Sequence, residues 1–165
     1  MRAIPLMLVA LPFLAAAPAF ALGRRNTKYA YAVTAAVTGV LALLSAVFLL
    51  FRQTVEFSFP GVMALGFSLK ADGFRALYAA VACLMWFITS LFTPEYMAHG
   101  HGQARYAAFT LLTMGATVGV FLSNDLVTTF LFFEILSFTS YTWVIHEETP
   151  KAMRTGQTYL AIAIL

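Results

Sequence analysis

Long apolar stretches recur along this chain, and each is close to the length that a helix needs to cross a lipid bilayer. A hydrocarbon core of about 30 Å requires roughly 20 apolar helical residues. Five stretches meet that requirement, at residues 4–22, 29–51, 73–92, 106–122 and 126–145. Because 61% of the 165 residues are hydrophobic and only 10% are charged, the composition excludes a soluble domain, whose charged fraction is about 25%. We therefore expect an all-α, polytopic transmembrane helix bundle.

A sixth apolar stretch begins near Gln157 and reaches Leu165 after about half the residues that a span requires. We therefore expect residues 1–165 to form a single membrane domain that is the N-terminal portion of a longer fold, with an incomplete span at 157–165.

The first stretch has two interpretations. Arg2, the apolar run and Ala19-Phe20-Ala21 are typical of a secretory signal peptide, which would be cleaved after Ala21 and leave four complete spans. The run continues to Leu22, however, and ends at a basic pair, which is typical of the flank of a retained membrane helix. We favour the retained helix.

The basic residues predict the orientation, because short cytoplasmic loops carry the excess of Lys and Arg. With the N-terminus outside, six of the ten basic residues face the cytoplasm and four face outward. The cytoplasmic set is Arg24, Arg25, Lys28, Arg105, Lys151 and Arg154, and the outer set is Arg2, Arg52, Lys70 and Arg75. We expect a multi-pass protein of the cell inner (plasma) membrane.

The connection between the second and third spans carries a strand pattern. Apolar and polar residues alternate over residues 55–59, and Pro60-Gly61 follows as a turn signal. This pattern predicts a short hairpin on the outer side, which would serve as a lid or a lateral contact.

Glu134 is the lone carboxylate in the middle of the fifth apolar stretch. A charged side chain at the centre of a membrane helix costs about 2.5 to 3.5 kcal/mol even on insertion scales, so such residues commonly mark proton or ion paths. Desolvation favours the neutral carboxyl group, which suits a proton carrier. The complete spans contain no Lys or Arg at mid-membrane depth that could pair with it.

Three further polar residues share a helical face with Glu134, namely Ser137, Tyr141 and, just beyond the predicted span, Glu148. They could form a half-channel that passes protons towards the cytoplasm. Alternatively, the hydroxyl groups hydrogen-bond to the backbone or to neighbouring helices, as is common in membranes, and we favour this for Ser137 and Tyr141 taken alone. Asp125 and Asp72 each precede a span, and we expect them to cap helices.

Other kinds of site receive little support. Cys83 is the only cysteine, so neither an intrachain disulfide nor a thiolate cluster can form. His99 and His101 lack a convincing third metal ligand. The basic residues are dispersed, which does not indicate a nucleic-acid partner, and no phosphate loop or haem attachment pair is present. We expect no metal and no cofactor.

Small residues at 115–119 predict close packing of the fourth span on a neighbour.

Several of these segments together resemble one family of membrane proteins. They comprise LGRR at 22–25, KADG at 70–73, TPEYM at 93–97, LSNDL at 122–126, FFEILS at 132–137 and SY at 140–141. The chain resembles the antiporter-like, proton-conducting subunits of respiratory complex I, of Mrp-type cation/proton antiporters and of membrane-bound hydrogenases. The match covers nearly the whole chain, and the segment around Glu134 is the most specific part. Many members carry Trp where this chain has Phe133.

The resemblance implies that Glu134 is the family's fifth-helix glutamate, which pairs with a lysine on a broken seventh helix. It also implies partner membrane subunits and transport of protons, with Na⁺ as a further candidate ion. The chain would be a non-redox subunit of a translocase similar to NADH-quinone oxidoreductase or hydrogenase, or part of an antiporter. The alternative is a structural or accessory subunit or fragment that scaffolds its partners and transports nothing.

Overall fold

The computed structural model describes residues 3–51, 53–59, 66–98 and 100–164. Within these residues the chain forms six helices and one two-stranded sheet. The elements are α1 (Ile4–Gly23), α2 (Thr27–Phe51), β1 (Val55–Phe59), β2 (Phe67–Ala71), α3 (Gly73–Tyr96), α4 (Gln103–Leu122), α5 (Leu126–Val144) and α6 (Pro150–Ile164). Arg2, Arg52, the Pro60-Gly61 turn, His99 and Leu165 lie outside the described residues.

Helices α1 to α5 are long and apolar enough to cross a membrane. This confirms the prediction of a polytopic helical bundle with five complete spans. The predicted bounds agree with the observed helices within about four residues, which is the usual uncertainty of helix ends read from sequence.

Helix α4 is the centre of the bundle and the most buried of the five spans. It packs against α1, α2, α3 and α5. Leu111, Met114 and Val118 on α4 are fully buried among side chains from these neighbours. A helix that contacts four others cannot present one apolar stripe, so its buried residues lie all around it.

Two glycines let α4 approach its neighbours closely. A Cβ atom at Gly115 would lie 2.9 Å from the ring of Phe13 on α1, and one at Gly119 would collide with the ring of Phe132 on α5. The predicted close packing of residues 115–119 is thus present, and it serves two neighbouring helices rather than one. Small residues allow such contacts because in a membrane helices associate through close van der Waals packing.

The predicted hairpin is confirmed as an antiparallel pair in which Val55 lies opposite Ala71 and Phe59 opposite Phe67. It is anchored to the start of α5, because the Ser68 backbone N–H donates to the Thr128 hydroxyl (3.0 Å) and the Asn124 N–H donates to the Ser68 carbonyl (3.0 Å). Leu69 is fully buried. The hairpin therefore closes one end of the bundle.

Two helix ends differ from the sequence-based prediction. Helix α3 continues through Pro94 to Tyr96, because a proline near a helix end removes only one N–H donor. Helix α6 begins at Pro150 rather than near Gln157. Its first turns are polar and hide the apolar pattern, but Thr149 accepts a hydrogen bond from the Ala152 N–H (3.1 Å), and proline is favoured at the first helical position.

We expect Gly119→Ala to destabilise the protein by about 1–3 kcal/mol, because the added methyl group must displace the Phe132 ring. Gly73→Ala is the matched control, since a Cβ atom there meets no atom within 4 Å. Thermal unfolding of the purified protein in detergent measures both. Equal stability of the two variants would show that the Phe132 ring can move away from residue 119 without strain.

Candidate functional site on the fifth helix

Asp125 fixes the start of α5. Its carboxylate accepts hydrogen bonds from the Thr128 N–H (2.8 Å) and the Thr128 hydroxyl (2.7 Å), and these bonds lower the pKa of Asp125. Asp72 caps α3 in the same way, accepting from the Arg75 N–H (2.9 Å). The predicted capping roles of both residues are confirmed.

Glu134 is the ninth of the 19 residues of α5, which places it roughly 13.5 Å along the axis from Asp125 at 1.5 Å per residue. It is half-buried and lines an open groove of about 560 Å³. The other lining residues are apolar except for Thr139, and comprise Val127, Phe130, Leu131, Ile135 and Phe138. Glu134 thus lies at the middle of α5 and lines a groove whose surface is apolar.

The packing of Phe132 decides which way Glu134 faces. The Phe132 ring lies against Gly119 of α4, and it also packs on Phe67 of the hairpin with ring centroids 5.7 Å apart. An α-helix turns about 100° per residue, so Glu134 is about 200° around α5 from Phe132. Glu134 therefore faces away from α4, towards the open groove.

The carboxyl group of Glu134 forms no hydrogen bond or ion pair with any residue that the structure describes. The described lining of the groove contains no Lys or Arg. A carboxylate in apolar surroundings is unfavourable without a cation. Within the described residues, Glu134 therefore has no cation beside it.

Ser137 and Tyr141 lie on the same helix, and the structure shows no hydrogen bond between either of them and Glu134 within the described part of the chain. The buried Ser137 hydroxyl donates to the Phe133 carbonyl (3.0 Å). The Tyr141 ring packs against α6, where a Cβ atom at Gly156 would lie 2.7 Å from its Cε2 atom. The observed Ser137 contact matches the backbone-bonding alternative.

Glu148 is not part of the polar face of α5. The helix ends at Val144, and Glu148 lies in the following loop with a positive φ of 54°. Its carboxylate forms an ion pair with Arg105 at the start of α4. The predicted line from Glu134 to Glu148 is wrong because it requires α5 to continue for one more turn.

The described residues contain no group of three or more His, Cys, Asp or Glu side chains that could hold a metal ion. His99 lies outside the described residues. His101 instead stacks on His146, with ring centroids 5.6 Å apart.

Two features of the site were not predicted from the sequence. Thr139 lines the groove beside Glu134, and the Tyr159 hydroxyl on α6 lies 2.7 Å from the Ser140 hydroxyl. Thr139 is five residues from Glu134, a spacing that does not predict a shared face. The contact between Ser140 and Tyr159 depends on the direction of the turn between α5 and α6. No residue pattern in the sequence predicts that direction.

Comparison with known proteins identifies relatives of this chain. The chain is 30% identical over 162 residues to a probable K(+)/H(+) antiporter subunit of Rhizobium meliloti (strain 1021), and the match covers 93% of this chain and 30% of that protein. It is 26% identical over 91 residues to NAD(P)H-quinone oxidoreductase chain 5 of Picosynechococcus sp., covering 55% of this chain and 14% of that protein. No protein-family profile matches the chain.

A solved structure shares the fold. A protein of the membrane-bound sulfane sulfur reductase, an archaeal respiratory membrane complex, superimposes with a TM-score of 0.84 at 19% identity. The superposition covers 98% of this chain and 34% of that protein.

The chain spans about a third or less of the length of these relatives. Its similarity to the Rhizobium antiporter protein includes the whole of α5, because that match covers 93% of this chain. The resemblance identified from the sequence motifs is confirmed by these relatives. The chain therefore belongs to the family of antiporter-like membrane subunits that includes cation/proton antiporter subunits and chain 5 of NAD(P)H-quinone oxidoreductase.

Proposed function

We propose that this chain takes part in proton or cation/proton translocation as a membrane subunit of a multisubunit complex, with Glu134 as its charge-coupling residue. The proposal rests on Glu134, the single carboxyl-bearing residue halfway along α5, which lines an otherwise apolar groove. Ionisable residues inside spanning helices are rare because they are costly, and they commonly mark ion paths. The antiporter relatives support the same function.

The coupling rests on the protonation of Glu134. A cation that approaches the groove stabilises the carboxylate and promotes release of its proton, and withdrawal of the cation favours the protonated form. The family resemblance implies that a lysine supplies this cation, either from another part of a longer chain or from a partner subunit. The exchanged ion is a proton, with Na⁺ as the alternative counter-ion.

The direction in which Glu134 faces supports this arrangement. Phe132 holds the opposite side of α5 against α4, so a cation can reach Glu134 without any change in the packing of the described helices. Ser137 and Tyr141 are candidates for a polar path from Glu134, although the Ser137 hydroxyl is already bonded to its own helix.

The orientation that we propose places the N-terminus outside the plasma membrane. Successive spans alternate in direction, so the connection between α1 and α2 lies at the same end as the starts of α4 and α6. That end carries Arg24, Arg25, Lys28, Arg105, Lys151 and Arg154, whereas Lys70 and Arg75 lie at the hairpin end. The basic excess at the first end supports a cytoplasmic location for it.

We expect Glu134→Gln in the intact complex to lower proton translocation by about tenfold or more, because glutamine has a similar shape but cannot carry a proton. The measurement is proton uptake by proteoliposomes, with subunit composition checked in parallel. Asp125→Asn is the matched control, since it also removes one carboxylate from α5 and asparagine still caps a helix. Normal transport by Glu134→Gln with intact assembly would support the alternative function, a scaffold for partner subunits.

Ser137→Ala tests the polar path. We expect transport to stay near the wild-type rate, because the Ser137 hydroxyl is bonded to the Phe133 carbonyl and the substitution removes only a bond within the helix. The same transport assay measures it. A loss as large as that of Glu134→Gln would place the Ser137 hydroxyl in the proton path.

Cysteine labelling tests the orientation. The native Cys83 is fully buried and should not react with a membrane-impermeant maleimide. We expect Lys151→Cys to be labelled only from the cytoplasmic side and Lys70→Cys only from outside. The reverse pattern would invert the proposed topology.

A further inference from the structure

A second cavity lies at the opposite end of the bundle from the hairpin, and the proposed transport function does not use it. It has a volume of about 850 Å³ and is formed by the ends of α3 and α5, the connections that follow them and the start of α4. Tyr96, Tyr106 and Trp143 supply aromatic surface, His101 and His146 lie beside them, and Glu147 supplies a carboxylate.

The cavity borders a crevice along α3, which α4 lines throughout and α5 lines at Trp143. Two smaller cavities of about 280 and 230 Å³ adjoin it and share Tyr106 in their linings. The deeper one reaches Met85 and Trp86 on α3. Trp86 lies ten residues before Tyr96 and hence roughly 15 Å further along the helix. We call the whole feature the α3–α5 groove. It is polar at the helix ends and apolar at depth.

The aromatic side chains in this groove form one connected cluster. Trp143 is 5.3 Å from Trp86 and 6.2 Å from Tyr106 between ring centroids, and Tyr106 packs edge-on against His146 at 5.6 Å. Aromatic residues near the ends of spanning helices are typical of the membrane–water interface. The mouth of the groove thus lies at the depth of lipid headgroups.

The charged side chains around the mouth of the groove determine which ligands it can bind. The described lining contains one carboxylate, Glu147, and no Lys or Arg. Arg105 lies close by, but its guanidinium is engaged by the Glu148 carboxylate and the His146 carbonyl. Burial and the nearby Arg105 lower the pKa of His146, so its ring is neutral near pH 7. A carboxylate beside several aromatic faces favours an ammonium group.

Two polar atoms in the lining side chains need partners. Trp143 Nε1 and His146 Nε2 are buried and form no hydrogen bond within the described part of the chain. A buried donor without an acceptor is unfavourable. A ligand with phosphate or ester oxygens at this depth could accept a hydrogen bond from Trp143 Nε1–H after a small movement of the ring.

We infer that the α3–α5 groove binds one zwitterionic phospholipid. Its ammonium group lies among Tyr96, Tyr106 and Trp143 beside Glu147, and one acyl chain lies along Met85 and Trp86. The apolar depth of the groove excludes a small soluble amine as the full occupant, and the carboxylate at the mouth disfavours lipids whose headgroup is only anionic.

The test uses the purified complex that contains this chain, reconstituted in nanodiscs of equimolar phosphatidylethanolamine and phosphatidylglycerol with matched acyl chains. After extraction into detergent, native mass spectrometry counts the lipids retained. We expect one phosphatidylethanolamine to be retained with about a tenfold preference over phosphatidylglycerol, in line with an ammonium held by aromatic faces and a carboxylate.

Two variants localise the binding. Glu147→Gln should abolish the preference, and Glu147 is exposed, so its substitution does not threaten folding. Glu95→Gln is the matched control, because Glu95 is an exposed carboxylate at the same end of α3 outside the cavity lining. Retention of both lipids alike, retention of neither, a preference for phosphatidylglycerol, or equal behaviour of the two variants would each overturn the inference. Retention of neither lipid would indicate that a protein segment occupies the groove.

Discussion

The contact between Phe132 of α5 and Gly119 of α4 determines which way the face of α5 that carries Glu134 points. Because Gly119 has no side chain, the Phe132 ring lies directly on the α4 backbone. In a membrane, where lipid competes equally for apolar surface, such close contacts between helices replace the hydrophobic driving force of a soluble core. The ring fixes the rotation of α5 about its own axis, and every side chain on that helix takes its direction from this rotation.

The hairpin reinforces this rotation from outside the helix. Phe67 packs on Phe132, and the Ser68 backbone bonds to Thr128, which is itself held by the Asp125 cap. The cap, the hairpin and the glycine contact therefore act on the same two turns of α5. Glu134 lies just beyond those turns, so it is positioned by rigid neighbours although the carboxyl group itself contacts none of the described polar groups.

The two ends and the middle of the bundle carry different chemistry. The hairpin end uses carboxylates as helix caps, the middle contains one carboxyl group in an apolar groove, and the opposite end combines aromatic rings, histidines and Glu147 around a large cavity. The same residue type thus has three roles. Their surroundings separate them: the capping carboxylates accept backbone hydrogen bonds, Glu147 is exposed beside aromatic rings, and Glu134 lies along an apolar groove without a described polar partner.

The sequence by itself determined the five spans, the hairpin, the caps at Asp72 and Asp125, and the position of Glu134 midway along α5. Each depends on a local pattern: the length of apolar runs, alternation, or a capping residue before a helix. It also indicated the family, since the motif around Glu134 is continuous in the chain. It misplaced the start of α6, whose first turns are polar, and it extended the polar face to Glu148 although the helix ends at Val144. Only the tertiary structure decided that Glu134 faces away from α4, that residues 115–119 serve two helices, and that residues from α3, α4 and α5 meet around the second cavity. Those facts depend on contacts between residues far apart in sequence, and no local pattern encodes the rotation of one helix against another.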